Sequence, residues 1–255
     1  MTPALLVTAP HSAVVIPAGL RDRLLVDEAA IWAAHDLGTA QLAACLGAEH
    51  VALAEVSRLV LDLDHELPDD GRADRRFPTV DALGRRLWAT ELDLPERQSL
   101  IEAHYRPWYA AVRAARESLT RSWGRLLHVD LNAWGRADGA SEADLAAAPP
   151  LLLANGGYPE TGEGERVSCR ADLLRALAEH IQAETGLKVG INLRFKGGGV
   201  LRTFGHHPGS TVQLTVQRGL LSDDDVTLDA DRAEALGLGL ERAITAWRRS
   251  SSPMR

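Results

Sequence analysis

The chain has 255 residues, a formal net charge of −7 at pH 7, 45% hydrophobic residues and 25% charged residues. This length allows one large domain with a full hydrophobic core, and the composition is ordinary for a soluble globular protein. The acidic balance and the lack of a Lys/Arg block argue against nucleic acids and anionic membranes as partners.

Neither a signal peptide nor an apolar run long enough to span a bilayer is evident, so we expect a cytoplasmic protein. We expect a single domain over residues 1–249, followed by a disordered tail over residues 250–255.

The first predicted strand is the apolar run Ala4–Thr8, and Pro10 should end it because proline has no N–H to continue a ladder. His11 and Ser12 then follow the carboxyl end of an early strand, where open α/β sheets place their ligands. An imidazole there can bind a metal, move a proton or polarise a carbonyl. A structural histidine, hydrogen-bonded in a turn, is the alternative.

A helix is predicted next, over Asp27–Leu46. His35 and Asp36 would point about 100° apart on this helix, so one of the two at most can face a small site. Strands are then predicted at Val51–Val56 and within Ser57–His65. The second of these ends in a polar cluster formed by Asp62, Asp64 and His65.

A long helix is predicted over Pro95–Trp123 because apolar residues recur there at intervals of three and four, and Pro107 should kink or split it. The strand Leu126–Asp130 follows. Asp130 and Asn132 alternate with an apolar residue at its end, so both can project to one side. The remaining predicted elements are strands at Leu151–Ala154, Val189–Leu193 and Thr211–Val216, and helices at Arg170–Thr185 and Asp229–Arg249.

A glycine triplet at residues 197–199 lies between the cations Arg194, Lys196 and Arg202. Backbone N–H groups and positive side chains in such a segment would suit an anionic ligand. A flexible hairpin tip with solvated charges is the alternative. The spacing differs from that of a phosphate-binding loop.

Strands and helices alternate along the chain, which predicts an α/β three-layer sandwich with a mostly parallel or mixed central sheet and helices on both faces. Because the polar clusters follow predicted strands, we expect the residues near His11, Asp62 and Asp130 to converge on one cleft.

Seven short motifs, taken in order from about Leu5 to Leu221, resemble those of the N-formylglutamate amidohydrolase family. The matching stretches are Pro10-His11-Ser12 with Ile16-Pro17, His35-Asp36-Leu37-Gly38, Ser57-Arg58-Leu59-Val60-Leu61-Asp62, Tyr105-Arg106-Pro107-Trp108, Asp130-Leu131-Asn132, Ser168-Cys169, and Phe195-Lys196-Gly197-Gly198 with Arg202 and Gly205. The resemblance implies a fold related to zinc carboxypeptidases and cell-wall amidases. It also implies zinc-dependent hydrolysis of an N-acyl amide on an acidic amino acid.

Carried over to this chain, the resemblance implies that His11 and Asp36 are zinc ligands. Asn132 stands where the family has its second histidine ligand. The implied substrate-binding side chains are Arg58, Arg194, Lys196, Arg202 and Ser12. The arginines would bind carboxylates, since a guanidinium presents a planar fork that matches them.

Two departures from the family pattern concern the chemistry itself. An amide carbonyl such as that of Asn132 is a poor zinc ligand beside imidazole. Thr215 stands where the family has a glutamate base, and its hydroxyl is not basic near neutral pH. We therefore predict weak or absent zinc binding and little or no hydrolysis of N-formylglutamate itself.

Other side chains near the same sheet edge could compensate for these departures. The candidate catalytic residues are Thr215, Asp130 and His65, and the side chains that could complete a metal site are His65, His128, Asp64 and Asp130. A small acidic amide or peptide is the expected ligand.

Three functions remain open from the sequence. The first is an amidohydrolase with a rebuilt metal site, and the second is a pseudoenzyme that binds an acidic ligand or partner through its arginines. The third is a different reaction on the same fold with Cys169 as nucleophile, which would need a nearby base or cation to activate the thiol.

Overall fold

A six-stranded mixed sheet organises the chain in the computed structural model, which describes residues 2–66, 74–206 and 209–251. The strands are β1 Ala4–Ala9, β2 His50–Leu53, β3 Leu126–Trp134, β4 Leu151–Ala154, β5 Val189–Ile191 and β6 Ser210–Gln217. Their order is β2-β1-β3-β6-β4-β5. Neighbouring strands are parallel except for β4 and β6, which are antiparallel.

Helices cover this sheet. They are α1 Ala18–Arg21, α2 Glu28–Ala34, α3 Thr39–Cys45, α4 Leu94–Leu100, α5 Arg106–Trp123, α6 Glu142–Ala147, α7 Ala171–Thr185, α8 Gly199–Phe204 and α9 Ala230–Ser250. Among the described residues, no helix is both long and apolar enough to cross a membrane.

The alternation of side chains along β1 explains the layering. Leu5 and Val7 are buried in the cluster that contains the apolar residues of α3, α7 and α9. Leu6 points to the other face and belongs to the cluster that contains Val112 of α5. The sheet therefore has helices on both faces, which confirms the predicted α/β sandwich.

The predicted helix over Asp27–Leu46 is wrong as a single element. Asp27 caps α2, because its side chain accepts from the Ala30 N–H at 2.8 Å. The chain leaves helical geometry at His35, and Gly38 starts α3 with a φ of +78°, a conformation that glycine adopts at little cost. This break puts Asp36 in a short loop between two helices.

The predicted strand within Ser57–His65 is also wrong. The chain forms a turn at this point, with the N–H groups of Val60 and Leu61 donating to the Ser57 carbonyl. The apolar residues that favoured a strand are buried because this segment packs into the core beside the sheet. The strand predicted at Val51–Val56 exists as β2 but begins and ends earlier.

Two further predictions about local structure are modified. The long predicted helix is bulged rather than split: a π-helical turn, Ile101–Tyr105, joins α4 to α5 directly before Pro107. The glycine triplet does not form a hairpin tip, because its last residue begins α8. Of the predicted tail, Ser250 ends α9, and residues 252–255 lie outside the described part of the chain.

Replacing Gly38 with alanine should lower the free energy of unfolding by about 2–4 kcal/mol. The positive φ strains an L-residue, and the new Cβ would lie 2.8 Å from Leu221 Cδ1 in the core. The matched control is Gly47→Ala, which has a φ of +60° but nothing within 4 Å of the new Cβ, so it should lose about 1 kcal/mol. Urea unfolding measures both, and equal losses would contradict the steric part of this account.

Candidate active site

A cleft of about 600 Å³ lies beside the carboxyl ends of β3 and β6. Its lining residues come from the loop after β1, the break between α2 and α3, the loop after β2, the ends of β3 and β6, and the segment after β5. Its polar lining residues are His11, Asp36, Arg58, Asp62, Asp64, Asp81, Asn132, Asp138, Arg194, Lys196, Gln213 and Thr215. The expected convergence of distant segments on one cleft is thus present in the structure.

His11 lies buried between two carboxylates. Its Nε2 is 2.7 Å from Asp62 Oδ1, and its Nδ1 is 3.4 Å from Asp36 Oδ2. Burial and the Arg58 guanidinium oppose the charged imidazole, but Asp62 and Asp36 outweigh them and raise the pKa of His11 to about 10. The protonated imidazole is therefore the stable form of this group.

Asp36 is held from several sides. Its Oδ2 accepts from the Ala133 N–H at 2.9 Å, and its Oδ1 lies 3.5 Å from Arg58 and 4.0 Å from Arg218. Burial favours the neutral acid, but His11 and the two arginines keep the pKa of Asp36 below its usual value.

Asp62 is the second carboxylate beside His11, and it also lies 3.2 Å from the Arg58 guanidinium. Burial would raise the pKa of Asp62, but His11 and Arg58 lower it well below the ordinary range. His11, Arg58, Asp36 and Asp62 therefore form one charge cluster, in which each ion is balanced by its neighbours.

The floor of the cleft is the end of β3 and β6. Asn132 lines the cleft, and its Nδ2 donates at 2.9 Å to Asp130 Oδ2. Asp130 lies beneath the floor, fully buried, and accepts at 2.6 Å from the Thr8 hydroxyl through its other oxygen. In the sheet register Asp130 is opposite Gln213, and Asn132 is opposite Thr215.

Among the described residues, three Arg and Lys side chains line the cleft. The Arg194 guanidinium stacks 4.4 Å from the centroid of the Trp134 ring and lies 3.1 Å from Asp144. Lys196 follows in the same segment, and Arg58 reaches the cleft from the loop after β2.

Asp64 ties the glycine triplet to this cleft. Its carbonyl accepts from the Gly199 N–H at 2.7 Å, and its Oδ1 accepts from the Val200 N–H at 2.9 Å. A Cβ at Gly198 would lie 1.6 Å from Asp64 Oδ2, which explains glycine at this position. Two N–H groups of the segment expected to receive an anionic ligand therefore bind Asp64.

Besides Asp130 and His128, which are fully buried, three sequence-predicted site residues are not on the cleft wall. The Ser12 hydroxyl donates to the Ala9 carbonyl at 2.9 Å and accepts from the Ala54 N–H at 3.1 Å. Arg202 donates to the Gly197 carbonyl at 3.2 Å and lies 3.5 Å from Glu66. His65 is partly exposed, with its Nε2 3.8 Å from Asp62 Oδ2.

Two alternatives raised from the sequence lose support. Burial raises the pKa of the Cys169 thiol to about 11, so this residue lacks the thiolate character of a nucleophile. His128 is fully buried, and its two ring nitrogens contact Arg116 at 2.8 Å and Thr8 at 3.0 Å. It is therefore not available as a metal ligand.

The donor set does not fit a catalytic zinc ion. His11 Nδ1 is buried without a hydrogen-bond partner, so this nitrogen and Asp36 Oδ2 could face a shared metal. The third expected ligand is the Asn132 amide, and the described residues contain no group of three His, Cys, Asp or Glu that could hold a metal. Catalytic zinc normally has three protein ligands and an open position.

Two residues of the cleft region, Arg218 and Gln213, were not singled out from the sequence. Arg218 is fully buried behind Asp36 and lies 3.2 Å from Asp138, and no local pattern indicates this pairing. Gln213 could have been found: polar residues alternate with apolar ones along β6, which marks a polar face of the strand.

The chain matches known proteins over most of its length. The model of the family described as N-formylglutamate amidohydrolase matches residues 3–222. An N-formylglutamate deformylase of Pseudomonas putida is 27% identical over 263 residues, covering 95% of this chain and 92% of that protein.

Two solved structures share the fold. A crystal structure of an N-formylglutamate amidohydrolase from Ralstonia eutropha JMP134 aligns with a TM-score of 0.76 and 19% identity, covering 97% of this chain and 96% of that one. A gene product of Agrobacterium tumefaciens aligns with a TM-score of 0.72 and 16% identity, covering 97% and 91% of the two chains.

Loss of the His11 proton should make the chelator-treated protein less stable at alkaline pH. The folded pKa of about 10 lies above the ordinary 6.5, so this stabilisation is complete below pH 6.5 and is lost as the pH rises towards 10. Between pH 6.5 and 9.5, the loss of unfolding free energy measured with urea should be smaller in Asp62→Asn than in the unmodified protein. It should be smallest in His11→Gln. NMR detection of a neutral His11 ring at pH 7.5 would contradict the assignment.

Proposed function

The chain belongs to the N-formylglutamate amidohydrolase family, and on this premise we propose that it hydrolyses the amide of a small N-acyl acidic amino acid or related peptide. The observation that carries the proposal is that one cleft contains two kinds of group. It has cations that suit carboxylates, and it has a buried, charge-balanced imidazole–carboxylate cluster. A single cleft can thus hold the acidic ends of the substrate and expose its amide to polar groups.

Arg58, Arg194 and Lys196 are the proposed carboxylate-binding side chains. All three line the cleft, and a guanidinium binds a carboxylate through two parallel hydrogen bonds. The stacking of Arg194 on Trp134 supports this role because it restrains the guanidinium without using all of its donors.

Asp64 is the proposed proton acceptor. Burial, and then the neighbouring Asp62, raise the pKa of Asp64, although His11 opposes them. Carboxyl groups with raised pKa values are suited to proton transfer near neutral pH. A water molecule would give one proton to Asp64 while the water oxygen bonds to the amide carbon. The C–N bond would then break, and the proton would pass to the leaving nitrogen.

The candidates named from the sequence are less suited to this step. Burial and the neighbouring Asp64 also raise the pKa of Asp130, well above its usual value, but Asp130 lies beneath the floor rather than in the cleft, and both of its oxygens already accept hydrogen bonds. Thr215 offers a neutral hydroxyl. His65 contacts Asp62 rather than the cleft wall. No step in the proposal passes through zinc, and weak or absent zinc binding stays a prediction, as do the cytoplasmic location and the lack of nucleic-acid partners.

Binding without hydrolysis is the second candidate function. It is favoured by Asn132 and Thr215, which replace the ligand and the base that the family resemblance implies. Under this alternative the cations would still bind an acidic ligand. N-acyl derivatives of glutamate and aspartate that bind without releasing free amino acid would support it.

The substitution Asp64→Asn should lower kcat by roughly 10²–10⁴-fold on whichever N-acyl glutamate or aspartate the protein hydrolyses, with KM little changed. An amide oxygen can still accept from the Val200 N–H, so the fold should survive while the base is lost. Asp81→Asn is a control, because Asp81 also lines the cleft but pairs with Arg85. An unchanged kcat in Asp64→Asn would remove Asp64 from this role.

The double substitution Asn132→His with Thr215→Glu should raise zinc affinity markedly. It supplies a third protein ligand beside His11 and Asp36, together with a carboxylate in the neighbouring strand position. Calorimetric titration of chelator-treated protein with zinc measures the change, and Thr215→Glu alone separates the two positions. Stoichiometric tight zinc in the unmodified protein would show that other residues complete the site.

A further inference from the structure

We propose that Asn132 forms a hydrogen-bond-accepting floor that receives the substrate's amide N–H, and that Thr8 and Asp130 hold Asn132 in position for it. This inference rests on the proposed function, since it names how the N-acyl group is recognised in the same cleft.

A buried chain of polar side chains runs along one face of the sheet, at β1 and β3, and ends at Asn132. It starts at Arg116 of α5, whose Nη1 is 2.8 Å from His128 Nδ1, and continues from His128 Nε2 to the Thr8 hydroxyl at 3.0 Å. Thr8 then donates to Asp130, and Asp130 accepts from Asn132. All five side chains are at least nine-tenths buried.

The direction of these hydrogen bonds follows from the donors available. A guanidinium can only donate, so His128 Nδ1 accepts and the ring proton of the neutral imidazole lies on Nε2. His128 Nε2–H therefore donates to the Thr8 oxygen, and the Thr8 hydroxyl proton goes to Asp130 Oδ1. The second oxygen of Asp130 accepts from Asn132 Nδ2.

This direction decides what Asn132 offers to the cleft. Its nitrogen is engaged with Asp130, and no described residue donates to its Oδ1. Because Asn132 lines the cleft, its free group there is a carbonyl oxygen. The side chain thus presents an acceptor to a ligand.

The complementary ligand is an N–H donor flanked by carboxylates. A secondary amide on an acidic amino acid has this chemistry, because its N–H can face the floor while its carboxylates reach the cations. An ester of the same shape places an oxygen where the N–H would be and leaves the Asn132 carbonyl unpaired. A site built to bind a donor rejects the analogue that lacks it.

The test compares N-acetyl-L-glutamate with 2-acetoxyglutarate, the ester of matching shape, by calorimetric titration. The unmodified protein should bind the amide roughly tenfold or more tightly than the ester. Asn132→Leu should bring this ratio close to one. Arg58→Lys should weaken both probes while leaving the ratio unchanged, since it acts on carboxylate binding.

Equal affinity for amide and ester in the unmodified protein would overturn the floor assignment while leaving the proposed function in place. If the protein binds neither probe, the proposed function is overturned, and the substrate contact with it. The positioning part has its own measurement, which needs no ligand.

Hydrogen exchange of the Asn132 side-chain amide, followed by NMR, measures the positioning part. Thr8→Val keeps the shape of Thr8 but removes the hydroxyl that links His128 to Asp130, so exchange should become at least roughly tenfold faster. Thr8→Ser restores the hydroxyl and should keep exchange slow. The amide preference should also fall in the valine variant and persist in the serine variant. Equal exchange rates in the two variants would overturn the positioning role.

Discussion

Pairing of buried charge is the constraint on which the cleft depends. Asp36 is almost fully excluded from water, and an isolated carboxylate in that setting would be strongly destabilising. His11 and Arg58 on the cleft side, and Arg218 behind it, make its burial tolerable. The break between α2 and α3 matters for the same reason, because it delivers Asp36 into this ring of cations rather than to a helix surface.

The two faces of the sheet divide structure from chemistry. Along β3, Leu127, Val129 and Leu131 pack into the apolar core beneath α3, α7 and α9. The alternate residues on the other face are polar, and their hydrogen bonds run from α5 to the cleft floor. One strand thus serves as core and as support for the site, since its side chains alternate strictly.

Local sequence patterns predicted the parts of this arrangement that depend on one segment. The apolar runs gave most strands, the helical periodicity gave α7 and α9, and polar residues after strands indicated the cleft. The pattern failed where burial and geometry diverge: Leu61 and Leu63 are buried in a turn, and Gly38 interrupts a continuous apolar periodicity. Arg218 was not predicted because its partners, Asp36 and Asp138, are distant in the chain.

The contact between Gly198 and Asp64 has a consequence for how this chain can change. The carboxylate occupies the space that any side chain at position 198 would need, so the two positions cannot vary independently. A larger residue at 198 is compatible with this backbone once the side chain at 64 has been shortened. The permitted order of substitutions is therefore fixed: position 64 must change first. That change removes the side-chain hydrogen bond from the Val200 N–H, while the Gly199 N–H keeps its bond to the backbone carbonyl of residue 64.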